Sequence, residues 1–136
     1  MPEQKISQIE IIGYQLTNMI EESKKSIQKL HEDIDRNPAY VFEWGVNYYS
    51  PLHRGMLATQ ILSGRDNILS RGEASDETEA FKMALTMQTD QIRRRLLHNE
   101  DRSNSTCAFH NACADAKRNV ESNILPEFEA MLRHLG

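Results

Sequence analysis

The chain has 136 residues, 39% of them hydrophobic and 26% charged, with a net charge of −4. That length fits one domain, residues 1–136, able to bury a core without disulfides or metals to hold it together. The composition excludes wholesale disorder, and the mild acidity gives no overall pull toward nucleic acid or an anionic membrane.

The first predicted helix covers residues 3–36. Ile6, Ile9, Gly13, Leu16, Ile20, Ser23, Ile27, Leu30 and Ile34 follow at alternating spacings of three and four, a heptad repeat that needs a surface to lie against. Asn37-Pro38 ends it, because a residue before proline is pushed out of the helical region. At 1.5 Å per residue this helix is about 50 Å long, more than a small globule requires. Residues 39–49 alternate apolar and polar like a strand. Asn37 and Pro38 form a cap-and-first-turn signature, however, and a lone strand has nothing to pair with, so a short aromatic-rich helix is expected there.

Ser50-Pro51 repeats the cap signature and opens a helix at 51–71 that Gly72 closes. Its apolar residues form three groups around the axis: Leu57, Ile61 and Ile68; Leu52 and Met56; Ala58, Leu62 and Leu69. Such a helix lies at the centre of a fold or is shared between subunits. Asp76 and Glu79 open a helix at 76–98, with a seam of Phe81, Leu85, Gln88 and Ile92. After a polar loop, the last helix spans 105–135, with a seam of Phe109, Cys113, Ala116, Val120, Ile124, Phe128, Met131 and Leu135. Pro126 should kink or break it near residues 122–125. The expected fold is all-α: an antiparallel bundle of four main helices plus the short aromatic one.

Charges stand in residues 1–10 where a signal peptide needs an apolar run, and no stretch approaches the ~20 apolar residues of a membrane span, so the protein reads as cytoplasmic. Cys107, His110 and Cys113 have metal-ligand residue types, with His98 the candidate ligand from outside this run. On one helix, though, Cys107 and Cys113 point about 120° apart, and Cys113 falls on the seam. No metal and no cofactor is expected. Glycine-rich phosphate loops, Gly-x-Ser-x-Gly, His-Glu-x-x-His and Glu-x-x-His are all missing, which argues against an enzyme.

Two surfaces are candidates for binding. Tyr40, Phe42, Trp44, Tyr48 and Tyr49 gather five of the nine aromatic residues into ten positions, more than one core can receive from one short segment, so they form the expected contact with a protein partner. Arg93, Arg94 and Arg102, with Lys82, are the alternative, a nucleic-acid contact. Against it, three consecutive arginines fan over roughly 200° of a helix. The leading expectation is a non-enzymatic homodimer that binds another protein as inhibitor, adaptor or regulator. The second is a nucleic-acid-binding bundle, and the third a bundle holding a metal or small molecule.

Overall fold

The computed structural model describes residues 7–37, 41–98 and 108–136; within these, the side chains of residues 41–46 and 98 lie outside the description. The described residues form four helices and no strand: α1 (Gln8–Arg36), α2 (Val41–Ser70), α3 (Glu77–His98) and α4 (Ala108–Leu135). None is long and apolar enough to cross a membrane.

Local chemistry sets most of the ends. Ser7 is in an extended conformation and its hydroxyl accepts from the Glu10 amide at 3.2 Å, so α1 begins at Gln8; residues 3–6 of the expected helix lie outside the described residues. Asn37 closes it, its amide bonded to the Asp33 carbonyl. Gly72 takes a left-handed φ of 71°, and the amides of Gly72 and Glu73 return to the Leu69 and Ile68 carbonyls, a glycine-dependent stop for α2. Asp76 accepts from the Glu79 amide at 2.9 Å, and the Glu79 carboxylate reaches back to the Ser75 amide and hydroxyl. The hydroxyl bond and then the amide bond hold the Glu79 carboxyl below its ordinary pKa.

Both internal prolines are tolerated, against expectation. The short helix over 39–49 and the helix over 51–71 are one helix, α2, running through Pro51. Pro51 removes the amide that would bond the Asn47 carbonyl, and Asn47 is exposed, so water can take that place. Pro126 likewise lies on the solvent face of α4 beside an exposed Ser122, and the helix continues through it. A missing hydrogen bond is cheap where the orphaned carbonyl is wet.

The core is drawn from all four helices. Ile12 and Leu16 of α1, Leu57 and Ile61 of α2, Phe81, Leu85 and Ile92 of α3, and Ile124 and Phe128 of α4 are all essentially inaccessible. Helix α2 packs against each of the other three, whereas α1 lies mainly on α2. Leu57, Ala58, Ile61 and Ile68 of α2 thus find partners within one chain, whereas Leu52, Met56 and Leu69 on its other sides remain exposed. The α3 seam is as expected, with Gln88 satisfied by the Leu57 carbonyl at 3.1 Å and the Gln60 side chain at 2.9 Å.

Two seams are shifted. On α1 the buried line is Ile12, Leu16, Met19 and Ser23, with Gly13 and Ile20 on its edge; neighbouring residues differ by only about 100°, so the heptad can be entered one residue early. On α4, Glu121 is buried in place of Val120, and Phe109 is 36% exposed. The serine in the α1 seam ties two helices together, since Ser23 donates its hydroxyl to the Pro51 carbonyl and packs on Gly55.

Buried residues on α1 stop at Ser23. Lys24–Asn37 contains none, and neither does Asn47–Leu52 of α2. The last thirteen residues of α1 therefore form, with the start of α2, an arm about 20 Å long beyond the core.

Candidate functional site

Three places carry the residues that could act, and the arm is the first. Ile27, Leu30 and Ile34 continue the α1 heptad along it, and all three are half-buried. They form an apolar stripe with one side covered by α2. Of the five predicted contact residues, Tyr48 and Tyr49 are described, and both are half-buried. The Tyr48 ring meets the His31 ring edge-on, with centroids 6.2 Å apart. The Lys117 ammonium stands 5.1 Å from the centre of the Tyr49 ring. These two rings tie α2 to α1 and α4. Tyr40 and the side chains of Phe42 and Trp44 lie outside the described residues.

The second place is the arginine row, which the fold splits three ways. Arg93 pairs with Asp90 at 3.1 Å and Glu129 at 3.6 Å. Arg94 faces solvent. Arg95 turns inward and donates its Nε hydrogen to both carboxylate oxygens of Glu121. Lys82 sits three turns before Arg93 on α3, about 16 Å along the axis, and Arg102 lies outside the described residues. Arg93, Arg94 and Lys82 therefore do not share one phosphate-sized patch.

The third place is a cluster that sequence reasoning missed. Glu121 of α4 is 1% exposed and accepts from Arg95 of α3 and from His53 of α2, whose Nε2 stands 3.3 Å away. Burial pushes the Glu121 carboxyl up, but the hydrogen bonds from His53 and Arg95 outweigh it, and the group is held below its ordinary pKa. Counting back from Leu135 through Met131, Phe128 and Ile124 at spacings of four and three lands on Glu121, and that is its one signal in the sequence. An acidic residue in an apolar seam calls for buried cations.

A histidine–carboxylate pair with an arginine has the residue types of acid–base chemistry. With Glu121 1% and His53 8% exposed, however, no substrate atom reaches the carboxylate unless the helices part. What the cluster does as it stands is join α2, α3 and α4 at one level. Arg118 adds to this junction by donating to the Leu96 carbonyl at 3.0 Å, near the end of α3.

Cys113 is buried in the α4 seam, as its position predicts; Cys107 and the His98 side chain lie outside the described residues. Among the described residues, no three His, Cys, Asp or Glu side chains gather closely enough to hold a metal ion. Comparison with protein-family models, with characterised proteins and with solved structures finds no match.

Proposed function

We propose that the protein works by binding another protein, without catalysis, as a homodimer in the role of an inhibitor, adaptor or regulator, and that the partner docks on the arm. One observation carries this reading: the heptad stripe of α1 continues through Ile27, Leu30 and Ile34 after the core has ended. A heptad stripe is selected by packing against helices, and among the described residues α2 alone supplies one here. A helical partner laid along the arm would complete it. Consecutive helices are taken to run antiparallel, a reading supported by Ser23 meeting Gly55 and His31 meeting Tyr48, contacts that climb α1 while descending α2.

The test is capture from the native host by the full chain, compared with a Leu30→Asp, Ile34→Asp double variant and with Trp44→Ala. The reading expects the captured protein to be lost from the double variant and reduced with Trp44→Ala, while the helical signal and melting temperature stay near the parent's. Equal capture by all three chains places the contact elsewhere.

A further inference from the structure

The glycines inside the helices differ in what requires them. A Cβ on Gly55 would stand 2.5 Å from the Ser23 hydroxyl oxygen and 2.8 Å from the Ser23 Cβ, so α1 and α2 could not meet as they do. A Cβ on Gly64 would touch the Ala84 methyl group at 3.5 Å. A Cβ on Gly13 would meet nothing within 4 Å. Glycine weakens a helix interior, and at Gly13 no contact among the described residues explains why one is there.

Gly13 instead opens onto a groove of about 350 Å³, whose walls include Glu10, Tyr14 and Thr17 of α1, Leu62 and Arg65 of α2 and Glu77 of α3. Arg65 is already engaged: its guanidinium lies 4.8 Å from the centre of the Phe81 ring and pairs with Asp66 at 2.8 Å and Glu77 at 3.8 Å. Beside the notch stands Tyr14, an aromatic ring 66% exposed, with Ile11 36% exposed on the same stretch. From Ser7 to Ile20, α1 has a single charged residue, Glu10, whereas Glu21–Arg36 is dense with both signs. Depletion of charge along a helix that carries an exposed aromatic residue is the composition of an interface and not of a solvated helix face, with Glu10, Arg65 and Glu77 the charged groups of the groove itself.

A notch and a ring at adjacent positions of one helix are self-complementary. We infer that two copies of this chain associate through the first half of α1, with Tyr14 of each seated in the Gly13 notch of the other. A twofold axis passing between Gly13 and Tyr14 makes both contacts at once, since each surface is both donor and receiver. It sets the two α1 helices antiparallel, places Glu10 opposite Thr17 and Ser7 opposite Ile20, and brings no like charges together along Ser7–Ile20. The missing side chain at residue 13 lets the two backbones approach, which accounts for a glycine that no contact among the described residues requires. This inference rests on the homodimer reading and names its interface.

The experiment is sedimentation of the full chain at micromolar concentration, for the parent, Tyr14→Ala, Gly13→Leu and an equimolar mixture of the two variants. The parent should sediment at twice its 15.7 kDa chain mass. Each variant alone should dissociate about 30-fold more readily or worse, with unchanged helicity, because each destroys both ring-in-notch contacts. The mixture should recover dimer, because the ring of the Gly13→Leu copy still meets an intact notch in the Tyr14→Ala copy. A merely structural role for either residue predicts no such recovery. A parent that is monomeric overturns this inference and the homodimer reading together. A parent dimer that neither variant weakens, or variants that the mixture does not rescue, overturn this interface and leave the homodimer standing.

Discussion

The two halves of α1 share one heptad repeat and meet different fates. Ile12, Leu16, Met19 and Ser23 are buried; Ile27, Leu30 and Ile34, equally apolar or more so and on the same helix, are half-buried. The difference lies not in α1 but in what faces it. Along the first half, α2 is backed by α3 and α4, so Leu16 sits against a core several layers deep. Along the second half, the start of α2 is the surface that α1 meets among the described residues, and α4 touches that stretch of α2 through Lys117 on Tyr49. Periodicity thus reports that a helix face wants a partner, and the tertiary structure decides whether the chain supplies it.

The largest expected effect sharpens that contrast. Leu16→Ala removes an inaccessible side chain from the deep half and should cost about 2–5 kcal/mol. Leu30→Ala, in the same register on the arm, should cost less, about 1 kcal/mol, because Leu30 is half-buried and not inaccessible. Urea unfolding of both variants gives the comparison directly. Equal losses would mean the arm is as firmly packed as the core and is not a waiting surface.

Next comes the buried cluster, which belongs to the deep half alone. Glu121→Ala leaves Arg95 and His53 without their shared acceptor, and should cost about 3 kcal/mol, at the low end for a buried pair because the Arg95 side chain is a quarter exposed. The pH dependence follows from the lowered carboxyl. Its folded pKa lies below the unfolded value near 4.5, so the contribution is complete above that value and fades as pH falls through the folded one. Stability measured from neutral pH down to acid should therefore drop less steeply in Glu121→Gln than in the parent. Parallel curves would show that this carboxylate does not contribute to acid unfolding.

The smallest effects test the helix contacts on either side of the division. Gly55→Ala forces a methyl group into Ser23, where α1 leaves the core, and should destabilise by about 1–3 kcal/mol. Gly13→Ala meets open space and improves helix propensity, so the melting temperature of the monomer should rise, by up to about 1 kcal/mol in stability. Opposite signs for one chemical change would confirm that only one of these two glycines serves packing within the chain.

Much of the architecture is legible in the residues because short-range chemistry controls it. Asn37-Pro38, Gly72 and the Asp76–Glu79 pair end or begin helices where residue types alone say they must. The α3 seam can be read because its apolar residues keep one spacing, and Gln88 can join them because its amide finds acceptors on α2. Concentration singles out Tyr48 and Tyr49, yet their rings meet His31 and Lys117 of the same chain, which concentration cannot foretell.

The amino-acid sequence by itself determined that this protein is helical and where several of its helices stop, since caps and periodicity act over a few residues. Only the tertiary structure decided that helix formation runs through Pro51 and Pro126, because the outcome depends on whether the orphaned carbonyls meet water. It alone chose Ile12 over Gly13 and Glu121 over Val120 for the interior. Adjacent residues lie only about 100° apart on a helix, and which of them turns inward is settled by the helix that arrives opposite.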